Sequence, residues 1–239
     1  VKELGQDAVA ITDHGVMYGA IDFYRACREA GIKPIIGCEV YVAPRGRTRF
    51  QKVHEFDAAF SHLVLLCRNE EGYRNLSYMV SQAFLEGFYI KPRIDLDLLR
   101  EHCGGLIACS ACLGGEVPKL LMAGDYEKAK EAALEMRELF GEDGYYLELQ
   151  DHGIPAQRQA AEGIQCAKAG PARQKHRPMG CAAPGDLQRK VRGTAHGKQH
   201  QLPRRSQTVE TNRHTNAPCT VWKNDPVILC HSMCRGRSL

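Results

Sequence analysis

An Asp-His pair, a carboxylate in an apolar stretch and a histidine at the head of another are the residues of this chain best suited to chemistry. Ala8-Val9-Ala10-Ile11-Thr12-Asp13-His14-Gly15 is a short apolar run that stops abruptly at Asp13, His14 and a glycine. Pro34-Ile35-Ile36-Gly37-Cys38-Glu39-Val40-Tyr41-Val42 carries a lone carboxylate, Glu39. His62-Leu63-Val64-Leu65-Leu66-Cys67 opens on a histidine. Imidazole nitrogens and carboxylate oxygens ligate divalent cations. Strands that each bring one such group to a common place would build a metal-type cluster able to do hydrolytic chemistry.

Each residue also has an ordinary reading. His14 would serve as a hydrogen-bonded turn histidine. Asp13 fits capping of the next turn, or outer-sphere support of a ligand, better than direct ligation. Glu39 is harder to accommodate, because a carboxylate in an apolar strand must be paired, protonated or metal-bound. A buried pair with an arginine would satisfy it without a metal. His62 gains weight only from sharing a strand end with the others. Cys112 is one cysteine among several, and buried cysteines are mostly plain core residues. Cys27, Cys38, Cys67, Cys103 and Cys109 read as core or near-core, His54 and His102 as surface or helix-end residues, and His152 as structural. Glu127, Lys128, Lys130 and Glu131 read as a solvated helix face.

The elements that must position these groups alternate in type. After the first strand, a helix spans Tyr18 to Ala30, with Ile21, Tyr24, Arg25 and Cys27 on adjoining faces, and stops at Gly31. A second strand covers Pro34 to Ala43 and runs into a basic loop, Pro44 to Lys52. A third strand, His62 to Arg68, precedes a helix from Glu70 to Glu86 whose inner stripe is Leu76, Met79, Val80, Ala83 and Phe84. Phe88 to Arg93 reads as a connector, and Asp95 as the cap of a short helix. A fourth strand, Gly105 to Cys109, ends in Ser110-Ala111-Cys112. Helical sequence follows, with a turn at Gly124-Asp125 and a stop at Gly141. A fifth strand, Tyr145 to Leu149, ends at Gln150-Asp151-His152-Gly153. Apolar strands alternating with helices predict a parallel α/β fold. Polar residues at the strand ends favour a barrel-like arrangement with the site on that face.

Charge divides the 239 residues in two. Residues 1–164 hold 18 Lys and Arg against 25 Asp and Glu, a net of −7, whereas residues 165–239 hold 14 against 3, a net of +11. The second part has one aromatic residue, Trp222, and few apolar ones, the composition of a segment that cannot bury a core. Three readings compete for it: a basic arm that binds phosphates, a Cys/His metal module, or sequence read out of frame. The metal module is disfavoured, since Cys166, Cys181, Cys219, Cys230 and Cys234 form no CxxC pair. The out-of-frame reading accounts most simply for the abrupt change. The division expected is a domain over 1–163 and an irregular basic tail over 164–239. Val1 to Gly5 reads as the end of a helix, so the chain is expected to begin inside a domain. No apolar run is long enough to span a membrane. Irregularly spaced cysteines without an export signal suit a reduced, cytoplasmic setting.

Taken together, Ile11-Thr12-Asp13-His14-Gly15, Pro34 to Tyr41, His62 to Leu66 and Ser110-Ala111-Cys112-Leu113 resemble the PHP (polymerase and histidinol phosphatase) domain. Phe88-Tyr89-Ile90-Lys91-Pro92-Arg93-Ile94-Asp95 and Leu147 to Pro155 resemble one branch of it, that of bacterial replicative DNA polymerase III alpha subunits. The resemblance covers about 1–163 and implies an α/β fold, here an incomplete distorted (βα)7-type barrel. In the intact family domain it implies a cluster of divalent metals, zinc or manganese, with His14, Glu39, His62 and Cys112 as matching ligands and Asp13 in outer support; a fragment with both ends of the ligand set missing is not expected to hold them. The family's other ligand positions would fall before Val1 or in the basic tail. The helix, strand and Asn-Asp-Ala-His motif with which a family member would continue are not read here.

The function implied is that of a fragment of a DNA-directed DNA polymerase, a nucleotidyltransferase of DNA replication. This fragment would carry part of a metal-dependent phosphoesterase or 3′–5′ exonuclease-like domain and would itself be inactive. DNA and other replisome subunits would be the parent's partners, with no membrane involved. The alternatives are a stand-alone phosphoesterase of the histidinol-phosphatase type and a non-catalytic DNA-binding scaffold.

Overall fold

The computed structural model describes residues 1–53 and 58–168, with side chains through residue 164. The three readings of the basic tail, and His54, lie outside the described residues.

A short 3-10 turn over Lys2–Leu4 closes at Gly5, whose φ of 70° suits glycine. β1 (Ala8–His14) leads through α1 (Ala20–Glu29) to β2 (Lys33–Val42). β3 (Ser61–Cys67) and α2 (Glu70–Leu85) follow, then a hairpin of β4 (Phe88–Tyr89) and β5 (Lys91–Ile94). α3 (Leu96–Glu101) starts at Asp95, whose side chain accepts from Leu98 N, as the sequence predicts. β6 (Leu106–Cys109), α4 (Glu116–Met122), α5 (Tyr126–Phe140), β7 (Tyr145–Tyr146) and α6 (Pro155–Lys168) complete the described part.

The seven strands form one sheet with β2 at its centre. β1 lies parallel along the first part of β2, from Ala8 opposite Lys33 to His14 opposite Glu39. β5 takes over that edge at Tyr41 and Val42, also in parallel. On the other edge β3 runs antiparallel, with Tyr41 opposite His62 and Glu39 opposite Val64. β3 is antiparallel to β6 as well, and β6 is parallel to β7. The architecture is therefore mixed α/β, and the all-parallel expectation fails at β3. The link from Val42 to Ser61 holds no helix among its described residues, so the chain returns along its neighbour instead of crossing over.

Alternation along the strands makes two cores. Cys38, Val40, Val42, Leu63 and Leu65 face α2, α3 and α5, where Leu76, Met79, Leu98, Leu99 and Met136 close the packing. Ala10, Val64, Leu66, Cys109 and Ala111 cluster separately. Glu39 and His14 share the parity of that second set.

Local departures have local causes. Phe88 to Arg93 is a hairpin and not a plain connector; Ile90 at its tip adopts φ 63°. Phe84, read as part of the inner stripe of α2, is exposed, and so are Ile21 and Tyr24 on α1. The fifth strand shrinks to Tyr145–Tyr146. A helix does follow it: α6 begins at Pro155, whose fixed φ suits a first helical position, and runs on through Gly163.

Candidate metal centre

Backbone register brings the donors together. His14 is the last residue of β1 and sits beside Glu39 on β2, with Nδ1 2.6 Å from Glu39 Oε1. His62, opposite Tyr41, reaches diagonally to the same oxygen, its Nδ1 at 2.9 Å. In a parallel sheet the start of β3 would lie at the far end from His14. The antiparallel turn is what places a strand start beside two strand ends.

Cys112 arrives from β6. The strand stops at Cys109, Ser110 accepts from Glu148 N through its buried hydroxyl, and Ala111 turns left-handed at φ 61°. Few non-glycine residues adopt that conformation, and this one immediately precedes Cys112. Cys112 Sγ then lies 3.5 Å from His62 Nδ1 and accepts from Gly114 N at 3.3 Å. Gly114 seals the arrangement: its carbonyl accepts from His62 N, and a Cβ there would stand 2.8 Å from His62 Nδ1. Oxygen, nitrogen and sulfur donors of Glu39, His62 and Cys112 all lie within 4.8 Å of one another.

Electrostatics follow from this packing. Burial alone would raise the carboxyl of the fully buried Glu39. The hydrogen bond and charge of His62, and then those of His14, outweigh it and hold the group below the ordinary carboxylate range. His62 is pushed up to about 9, first by its contact with Cys112 and then by Glu39, against its own burial. The partners described for Glu39 are imidazoles, His14 and His62. The fully buried Arg93 instead donates to the carbonyls of Gln51 and Gly87.

Aromatic rings frame His62. Phe60 stacks on it at 5.7 Å between centroids, and Tyr41 meets it edge-on at 5.4 Å. Lys119 on α4 donates to the Phe60 carbonyl. Sequence reasoning passed over Tyr41, Phe60 and Gly114. The period-two spacing of Tyr41 from Glu39 was the available signal for the first.

The remaining predicted residues are placed as follows. Asp13 points to the opposite face of β1 from His14, its carboxylate beside Gly19 at the start of α1, where a negative charge complements the helix end. His152 is engaged locally, with Gln157 Nε2 3.0 Å from its Nδ1. Cys27, Cys38 and Cys109 are buried, Cys67 and Cys103 half-buried, and all are free thiols. His102 packs on Tyr78 at the end of α3.

The PHP domain model matches residues 1–152. The chain belongs to the PHP domain family. Within that family the DNA polymerase III subunit alpha of Treponema pallidum is 48% identical over 160 residues, 67% of this chain and 14% of that protein. The subunit of Deinococcus radiodurans is 49% identical over 153 residues, covering 63% of this chain and 11% of its own length. That of Thermus aquaticus is 44% identical over 158 residues, 66% and 13% of the respective chains. The chain thus spans between 11% and 14% of these relatives, and its PHP domain is homologous to theirs. No helix among the described residues is long and apolar enough to cross a membrane.

Proposed function

We propose that this PHP domain holds divalent metal on Glu39, His62 and Cys112, with His14 as a further ligand, and that it belongs to a DNA polymerase III alpha subunit. The observation that carries the metal reading is the convergence of three donor types within 4.8 Å. A carboxylate, an imidazole and a thiol fit the ion, and the sulfur favours zinc over manganese. A bound metal would supply Lewis-acid activation for phosphoester hydrolysis.

The chain's own residues do the rest. Glu39 keeps a fixed negative charge because two imidazoles bracket one of its oxygens. His62 is held by the Gly114 carbonyl on its backbone and by Phe60 and Tyr41 on its ring, so its Nδ1 cannot swing away. Ala111 aims Cys112 into the site. Asp13, on the opposite face of β1 from His14, would act at the start of α1 and not on the donors themselves.

In the parent protein, nucleotidyl transfer would reside elsewhere in the longer chain, with DNA and other replisome subunits as partners in the cytoplasm. The identity to polymerase subunits supports this reading over a stand-alone phosphoesterase. The division at about residue 163, with a tail of separate character, is part of the proposal.

Metal analysis after dialysis of chelator-stripped protein against zinc or manganese tests it. The wild-type chain is expected to retain metal that Glu39→Ala and Cys112→Ala lose. Equal retention by all three would overturn the assignment.

A further inference from the structure

Each of the two rings that frame His62 carries a lysine ammonium. Lys91 Nζ lies 5.3 Å from the centroid of Tyr41, and Lys119 Nζ lies 5.9 Å from that of Phe60, both within cation–π range. Lys91 is placed by the sheet: Arg93 lies opposite Tyr41 in the pairing of β5 with β2, and Lys91 stands two residues before it. The hairpin is pressed against the turn after His14, since a Cβ on Gly15 would stand 2.8 Å from the Tyr41 ring and 3.1 Å from Pro92 Cγ. Lys119 is placed by α4, which begins directly after the Cys112 loop, and its Nζ donates to the Phe60 carbonyl. Two separate elements thus bring a cation to the rim of one candidate centre.

Neither cation is neutralised by a carboxylate. Arg45, Arg49, Arg74, Arg100 and Lys128 all pair with acids, whereas among the described residues Lys91 and Lys119 form no ion pair. The groups that bear electrostatically on Lys119 are Cys112 and Glu116, and Glu116 is engaged by the Arg45 fork. Glu39 is bracketed by its two imidazoles, and Asp13 lies on the other face of β1. An ammonium has three N–H donors, so the Phe60 carbonyl leaves two of those on Lys119 for a ligand. Residues 1–164 carry a net charge of −7, so two uncompensated cations beside one centre are not a product of overall composition. Lysine binds phosphate as a point charge, and cations aimed at a phosphoryl group stabilise the charge that develops on it.

We propose that Lys91 and Lys119 form an anion site that holds the phosphoryl group of a substrate at the candidate centre. The proposal deepens the phosphoester reading of that centre and rests on it for what the phosphoryl group is brought to. Anion binding by the two ammonium groups itself requires no metal.

Titration of the full chain with inorganic phosphate in EDTA, followed by NMR of the lysine side chains, tests it. Phosphate is expected to shift the Lys91 and Lys119 signals together, and not that of Lys128, which is paired with Asp125 at the start of α5. Lys91→Gln and Lys119→Gln are each expected to weaken phosphate binding by about tenfold, the loss of one charge-assisted contact. Lys91→Arg and Lys119→Arg keep the charge and are expected to retain binding. Unshifted lysines, or Gln variants that bind as wild type does, would overturn the proposal. So would an equal loss in the Arg variants, which would trace the effect to the fold and not to charge. Dimethyl phosphate in the same titration separates the two esters: shifts equal to those with phosphate admit a diester, and shifts with phosphate alone restrict the site to a terminal phosphate. Because the titration excludes metal, failure of the metal reading appears separately, in the metal analysis.

Discussion

Glu39 and His62 meet diagonally across an antiparallel strand pair, Oε1 to Nδ1 at 2.9 Å, because Tyr41 and not Glu39 lies directly opposite the histidine. That offset leaves the position opposite Glu39 to Val64 and lets His14, on the parallel neighbour, approach the same oxygen. One carboxylate oxygen between two imidazoles is the charge relationship from which the rest of the centre follows.

Replacing that charge while keeping its shape should reset the histidine. In metal-free Glu39→Gln, the His62 pKa is expected to fall below about 9 but to stay above its ordinary 6.5, because the larger contribution, its contact with Cys112, remains. NMR titration of the His62 ring checks this. Metal affinity should fall by at least the roughly 10–100-fold typical when even an outer partner of a metal ligand is lost.

The same pair sets the pH limits of the metal-free chain. His62 has its pKa raised by folding, so its stabilisation is complete below about 6.5 and is lost as pH rises through about 9. Glu39 has its pKa lowered, so its contribution is present above the ordinary 4.5 and is lost as pH falls through its depressed value. Thermal melts in EDTA should therefore peak between these limits, and His62→Gln should flatten the alkaline side. An unchanged alkaline limb in that variant would contradict the assignment.

Ala111 stores backbone strain at φ 61° directly before Cys112. Ala111→Gly relieves it but removes a buried methyl and loosens the unfolded chain, so stability in urea unfolding is expected to change by less than about 1 kcal/mol. Ala111→Val, β-branched and buried, should destabilise it and weaken metal retention together.

Gly114→Ala tests the wall behind His62. A Cβ placed 2.8 Å from Nδ1 must displace the ring or the loop. The expected outcome is reduced metal retention with every donor side chain intact. Full retention would show that the loop yields without disturbing the imidazole.

Much of this was legible in the sequence because burial imposes strong patterns. Glu39 stood out as the lone charge in β2, and Asp95 announced its helix. Apolar runs marked β2 and β3, and the stripe Leu76, Met79, Ala83 marked α2. Strand direction was not legible, since an apolar run reads the same either way up, and the length of the 43–60 link did not reveal a return without a crossover. The left-handed Ala111 was hidden because alanine carries no signal for positive φ. Phe84 and Phe88, 6.0 Å apart, show why periodicity misled: the two exposed rings shelter each other. Arg93 was read only as the end of a connector, and its burial rests on carbonyls that the fold brings to it, those of Gln51 and Gly87 among them.

Zinc K-edge X-ray absorption on the zinc-loaded chain tests the central claim most directly. A centre built from Glu39, His62 and Cys112 predicts a first coordination sphere with one sulfur at about 2.3 Å among nitrogen and oxygen ligands near 2.0–2.2 Å. The sulfur contribution should vanish in Cys112→Ser. A wild-type spectrum with no sulfur, or one unchanged by that substitution, would contradict the account.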